Sequence, residues 1–251
     1  MTGSENQRQH YETILDQYDA HYFDEWSTKY REEFIYEPLW RGMDFAGKRV
    51  ADLACGSGFN SKALLKRFPT VLPTGYDIAP TACEAYRQRT GFSARECDLT
   101  KPMENGCAEF DAAMVIGGLH HCVSDLHQTF RNVANLLKPG GIFMMMEPNS
   151  RYFLEEVRNF WYRHDKSFDA ESEHALAHAE ILSLANDDFV CQDIKYFGGP
   201  AFFAVLNSMI LRIPLGVKPF ISPPLMIVER AWNLIHGTRM HNAFLARWTR
   251  R

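Results

Sequence analysis

Short apolar runs alternate with helical patterns through the middle of the chain, and glycine or proline marks most of the joints. Residues 48–54 read as a buried strand, broken by Cys55-Gly56-Ser57-Gly58, and residues 60–68 as a helix. Residues 71–78, 92–97, 110–116 and 142–146 repeat the strand pattern. Helical periodicity fills 81–90 and 126–137, the latter stopped by Lys138-Pro139-Gly140-Gly141. Five short strands alternating with helices predict an α/β fold with a doubly wound, Rossmann-like sheet and right-handed crossovers. Ligands in such sheets sit at the carboxyl ends of the strands, and Asp52, Gly56, Asp77, Asp98, Gly117 and Glu147 all fall there.

The flanks have a different texture. Residues 1–45 are rich in rings, with a helix expected to begin near Gln9 and a second stripe formed by Trp26, Tyr30 and Phe34, interrupted at Pro38. Beyond the fifth strand, 189–197 reads as a further strand and Gly198-Gly199-Pro200 as its turn; 201–210 suits either the returning strand or a helix. The expected division is a helical cap over 1–45, a ligand-binding core over 46–150, an insertion over 151–188 and the end of the sheet with a tail over 189–251. Met144-Met145-Met146 belongs in the core of strand five. His174 and His178 are spaced as on a zinc helix, but without H-E-x-x-H's glutamate or a third ligand a solvated helix face is expected and no metal site.

Charge changes this picture. The net charge of the 251 residues is −4, yet residues 206–251 hold seven basic residues against one acid, Glu229, which leaves −10 on the rest. Four prolines, Trp232 and Trp248 lie among those cations in a run that also carries many aliphatic residues. Three roles stand open for this tail: docking on the acidic body of its own chain, pairing with a second copy, or peripheral contact with an anionic membrane face. A nucleic-acid partner does not suit the acidic bulk. The six cysteines are scattered, which fits free thiols in a reducing cytoplasm. No secretory pattern is seen at Met1–His10, and the longest apolar stretch, 201–211, is about half of a membrane span.

The glycine turn after the first strand carries the chemistry. Gly56 and Gly58 let backbone approach a ligand at a helix N-terminus, and Asp77 at the end of strand two can take both hydroxyls of a ribose. A dinucleotide fingerprint would place a third glycine at position 61, where this chain has Ser61. Instead Asp52-Leu53-Ala54-Cys55-Gly56-Ser57-Gly58 resembles the first motif of class I S-adenosylmethionine-dependent methyltransferases, acid-x-Gly-x-Gly-x-Gly, with Ala54 in place of the first glycine. Asp77-Ile78, Cys97-Asp98-Leu99, the stretch from Phe110 through Ile116-Gly117-Gly118-Leu119-His120-His121, and Leu136–Gly141 resemble the later motifs in the same order over roughly 46–150.

The resemblance implies a cofactor, S-adenosylmethionine, converted to S-adenosylhomocysteine, and a small, apolar acceptor of the quinone-like kind methylated by in-line displacement. It implies Asp52 near the methionine ammonium, Ala54, Gly56, Gly58, Ile116 and Gly117 as backbone contacts, Asp77 and Ile78 at the ribose, and Asp98 and Leu99 at the adenine. Rings of the N-terminal helices, with Tyr18 and Tyr30 put forward, would close over the sulfonium, or else simply pack in the core. His121 stands as the base for an acceptor proton, against the alternative of a loop-shaping role, and Asn149, Tyr152 and His164 as acceptor contacts. Two other classes stay open: an NAD-dependent oxidoreductase, and a non-catalytic subunit that binds S-adenosylmethionine.

Overall fold

The computed structural model describes residues 19–103, 108–156 and 174–251. The first described helix, α1 (Glu25–Arg31), opens on Asp24, whose carboxylate accepts from the amides of Trp26 and Ser27. A wide π-turn (Glu32–Tyr36) leads into α2 (Glu37–Trp40). Pro38, expected to interrupt the helix, sits in the first turn of α2, where a missing N–H is tolerated. The alternation then runs β1 (Arg49–Leu53), α3 (Phe59–Arg67), β2 (Leu72–Asp77), α4 (Pro80–Thr90), β3 (Ala94–Glu96), β4 (Phe110–Ile116), α5 (Leu126–Leu136) and β5 (Leu137–Pro148). After it come α6 (His178–Leu184), β6 (Phe189–Phe197), α7 (Lys218–Trp232) and β7 (Ala243–Arg250).

The seven strands form one sheet in the order β3-β2-β1-β4-β5-β7-β6, with β7 antiparallel to both of its neighbours. The sheet is doubly wound, as the pattern predicts: order reverses between β1 and β4, which opens a crevice at their carboxyl ends. Period-two alternation sorts the buried side chains into two cores. Met144 and Met146 face the aromatic cap with Tyr30, Phe34 and Trp40, while Met145 faces the other layer with Phe130, Val133, Leu136 and Trp248.

In the last hairpin the structure takes the helical alternative for the segment after the glycine turn. Residues 201–210 do not return to the sheet; Phe202–Leu206 forms a single wide helical turn. The chain leaves at Gly198, whose φ of 97° suits only glycine, and the buried carboxylate of Glu229 receives the amides of Gly199 and Ala201, turning the backbone away. The returning strand is β7, so residues 198–242 are an insertion inside the hairpin. Its helix α7 docks on the cap: Glu229 accepts the Tyr30 hydroxyl at 2.6 Å, Arg230 pairs with Glu33, and the buried ammonium of Lys218 meets Asp24. Docking on the chain's own acidic body is therefore one job of these cations.

Trp248 is not at an interface. It lies fully buried between β5 and β6, ringed by Phe130, Phe143 and Phe189, and donates its indole N–H to His178 Nε2 at 3.1 Å. His178 thus belongs to the core, and because residues before it are extended, His174 does not share a helix face with it. Trp248→Ala is expected to cost about 3–5 kcal/mol. That corresponds to roughly 10 °C in Tm for a chain of this size. Thermal unfolding followed by near-UV circular dichroism checks it, and a loss under about 1 kcal/mol would contradict this packing.

Candidate active site

The crevice at the switch point is a cleft of about 440 Å³, within the range of small-molecule sites. Ala54, Cys55, Gly56, Asp77, Ile78, Asp98, Leu99, Ile116, Gly117 and His121, all at strand ends, form much of its wall. The β1–α3 turn is bent for this purpose. Ala54 and Gly56 have φ of 50° and 51°, and Gly58 has 87°. Ala54 therefore holds a left-handed conformation in which a side chain is costly by about 1 kcal/mol. A smaller residue elsewhere allows it: a Cβ on Gly118 would come within 2.6 Å of the Ala54 Cβ.

Buried carboxylates hold the turns. Asp77 accepts the amide of Gly56 at 2.8 Å through one oxygen and that of Ala79 at 3.0 Å through the other. Burial raises its pKa despite these bonds. Glu147, at the end of β5, accepts the amides of Gly118 and Leu119 at 3.0 and 2.8 Å, and His120 Nδ1 lies 2.8 Å from its other oxygen. The imidazole of His120 stacks obliquely on that of His121, with ring centroids 3.9 Å apart. Asp98 is bonded by Thr100 and Lys101; burial pushes its carboxyl up, but those bonds outweigh it and leave it below the ordinary range.

Asp52 lies under the turn rather than on the cleft wall. It is fully buried, takes the Ser61 hydroxyl at 2.6 Å on Oδ2, and its Oδ1 has no partner among the described residues. Burial pushes its carboxyl up to about 7. Arg31 is the complementary case. It lines the cleft while buried, its guanidinium lies 4.3 Å from the Phe23 ring centroid, and its Nη1 has no partner among the described residues.

The cap closes over the glycine turn through contacts that the sequence pattern does not single out. Asp19 accepts the Ser57 hydroxyl and pairs with Arg89. Phe23 stacks on Phe59 with centroids 4.0 Å apart and 7° between planes, and Arg89 covers the outer face of Phe59. Phe23 and Phe59, not Tyr30, are the cap and turn rings on the cleft. Tyr30 is at the other end of its helix turn, sealed against Glu229, and burial with that neighbouring carboxylate holds its hydroxyl well above the ordinary tyrosine range. Gly58 lies behind the wall as the N-cap of α3.

Asn149 and Tyr152 are also away from the wall. Asn149 is buried and donates its amide to the carbonyls of Thr238 and His241, so it stitches the end of β5 to the hairpin insertion. Tyr152 packs with Phe153 and Phe203. His174, set aside on sequence, does line the cleft, and its amide lies 3.4 Å from the carbonyl of His120. Tyr18 and His164 lie outside the described residues. Among those described, no group of three His, Cys, Asp or Glu side chains could hold a metal ion.

A doubly wound sheet with a cleft of small-molecule size at its switch point is the architecture in which ligands bind beyond the strand ends. Residues 50–141 match a family described as a methyltransferase domain. The chain is 30% identical over 129 residues to a fatty-acid O-methyltransferase of Mycolicibacterium smegmatis, covering 49% of this chain and 45% of that protein. It is 29% identical over 117 residues to a ubiquinone biosynthesis O-methyltransferase of Pseudomonas fluorescens, covering 45% and 50%. The chain thus matches about half the length of these relatives. In fold it is similar to the N-methyltransferase NodS from Bradyrhizobium japonicum, solved with S-adenosylhomocysteine, at a TM-score of 0.61 and 13% identity over 98% of both chains. Geranyl diphosphate C-methyltransferase from Streptomyces coelicolor superposes at 0.61 with 17% identity, covering 89% and 79%. Residues 50–141 thus carry the match to a methyltransferase domain, and the fold around them is shared with solved methyltransferases.

The buried Asp52 predicts an acid-favoured stability. Its folded-state value of about 7 is above the ordinary 3.8. The group therefore costs nothing below pH about 4, and stability falls as pH rises toward 7, by a few kcal/mol at most. Urea midpoints of wild type and Asp52→Asn at pH about 5 and about 8 check this. Wild type should lose more than the variant over that interval; parallel profiles would contradict the assignment.

Proposed function

We propose that the protein is an enzyme that moves a methyl group from S-adenosylmethionine to a small, apolar acceptor by in-line displacement. The observation that carries the reading is a pair of buried, opposite charges on or under one cleft wall, each with one atom that no described residue meets: Asp52 Oδ1, beside the bond Oδ2 takes from Ser61, and Arg31 Nη1, beside the bond Nε gives to the Tyr22 carbonyl. A bound amino-acid moiety brings one ammonium and one carboxylate, so a zwitterion answers both. An NAD-type ligand brings phosphates instead and leaves Asp52 unanswered, and Ser61 replaces the glycine that class of site uses.

Asp52 and the backbone of Ala54, Gly56, Ile116 and Gly117 would hold the methionine end, with Gly58 shaping the turn and Arg31 taking the carboxylate. Asp77 and Ile78 would hold the ribose, and Asp98 and Leu99 the adenine. The cofactor, when bound, supplies an activated methyl on sulfur, so the chain's task is alignment and exclusion of water, which can be worth about 7–11 kcal/mol. Phe23 and Phe59 shut the turn side from solvent. Tyr18 stays a proposal for a ring over the sulfonium, and His164 for an acceptor contact.

His121, on the wall beside His174, is the group we assign to take a proton from the acceptor. His120, held by Glu147, keeps its neighbour in place. The relatives' names, fatty-acid and ubiquinone biosynthesis, both point to acceptors with long apolar parts, which supports that acceptor class here. The described cysteines are all free, which suits a cytoplasmic protein.

Calorimetry with S-adenosylmethionine, S-adenosylhomocysteine and NAD tests the reading. Both sulfur compounds should bind and NAD should not. NAD binding without a response to S-adenosylmethionine would overturn it. Arg31→Met should weaken S-adenosylmethionine binding about 10- to 100-fold, the worth of a charged hydrogen bond. His121→Ala should bind the cofactor as wild type does and lose turnover by at least about a hundredfold; near-normal turnover would remove the base role.

A further inference from the structure

Helix α7 is built inside out. Its inward residues are Lys218, Ser222, Met226 and Glu229, all buried and three of them polar, while Phe220, Pro223, Pro224, Ile227 and Val228 face solvent. The inward positions recur at i, i+4, i+8 and i+11 and the outward ones at i, i+3, i+4, i+7 and i+8, so each set forms one stripe. Phe220 is 80% exposed and Ile227 64%, and Leu234 and Ile235 extend the stripe past the helix end. Leu211, Leu215 and Val217 are exposed in the loop before it. The hydrophobic effect does not put apolar residues outside and charges inside to stabilise a fold in water, so this stripe is shaped for another contact.

The charge around it selects the occupant. Between residues 198 and 251 the sole acid is Glu229, which is sealed beneath the helix, whereas Arg212 and Arg239 are exposed. The neighbouring cap acid, Glu33, is answered by Arg230. A two-fold pairing of this face with a second copy would set its cations against the same cations, with no exposed acid of residues 198–251 to offset them. An anionic lipid surface complements the positive balance of this segment and takes apolar side chains at its acyl boundary. At 15 residues α7 is about 22 Å long, short of a bilayer's hydrocarbon core, so the helix would lie in the interface plane.

We propose that the outward face of α7, with the 211–217 loop and Leu234, docks the protein on an anionic membrane surface. The face adjoins the carboxyl end of β5: the amide of Phe153, itself half exposed, donates to the Arg239 carbonyl at 2.9 Å. An apolar acceptor held in that membrane would then lie on the same surface as the protein, so its transfer need not begin from bulk water. This last consequence rests on the proposed methyl transfer, whereas docking itself does not.

The test uses the full chain with no cofactor, so it is independent of any methyl-transfer assay. Sedimentation with vesicles of phosphatidylglycerol and phosphatidylcholine should carry the protein down, and vesicles of phosphatidylcholine alone should carry at least about tenfold less. Raising salt from about 0.1 M to about 1 M should release it, since the screening length falls from about 10 Å to about 3 Å. Phe220→Asp with Ile227→Asp, both at exposed positions, should bind at least about tenfold less while melting like wild type. Arg239→Glu is a second variant that leaves the helix untouched and should also weaken binding. Equal sedimentation with both vesicle types, or none, would overturn the proposal. So would a wild-type dimer that the double variant turns into a monomer by sedimentation velocity, because a second copy would then own the face.

Discussion

Glu147 has no contact with solvent, and its oxygens gather three backbone amides of the β4 loop and the imidazole of His120. Asp77 does the same for the glycine turn after β1. Each carboxylate ends one strand and fixes the loop of its neighbour, so the cleft walls are positioned by charge-assisted bonds in a dry setting, the strongest kind available to a protein. Removing either carboxylate would strand several amides, each at a cost of about 1–3 kcal/mol. The glycine turn keeps left-handed angles, and the His120-His121 pair its place, because these anchors sit one strand away.

The second constraint is topological. β7 must lie between β5 and β6, yet 45 residues separate the end of β6 from its start. The chain resolves this by folding the intervening segment back onto the N-terminal cap, with Glu229 bonding both the exit turn and Tyr30. Lys218 and Asp24 add a buried ion pair at the other end of the helix. Cap and insertion therefore fix one another, and the cap in turn places Asp19, Phe23 and Arg31 over the glycine turn. A buried pair of this sort adds little net stability, but it sets register, because a slipped helix would leave two charges unanswered. Spending its polar side chains inward leaves α7 with an apolar outer face.

The parallel core was legible because its signals are local. β4 and β6 fall where the alternation puts them, and Asp77, Ile78, Leu99, Ile116, Gly117 and His121 line the cleft because strand ends converge in any doubly wound sheet. Residues placed by contacts distant in sequence were not legible. Tyr30 and Phe23 look alike as rings on one amphipathic segment, and only the docking of Glu229, 199 residues away from Tyr30, decides which of them reaches the cleft. Trp248 reads as an interfacial residue among cations until β7 is seen to lie between two strands. His174 and His178 share helical spacing, but an extended backbone between 174 and 177 sends one to the cleft and the other to the core. The cost of misplacing each is a long-range packing term, which no window of the sequence contains.

The central claim is that this cleft transfers a methyl group and does more than hold a nucleoside. The most direct measurement is to incubate the protein with methyl-labelled S-adenosylmethionine and an extract of apolar small molecules, then follow label and S-adenosylhomocysteine together. The account predicts label in an apolar product and an equal amount of S-adenosylhomocysteine, both absent without the protein. Stable binding of S-adenosylmethionine with neither product formed would contradict it and make the chain a cofactor-binding subunit.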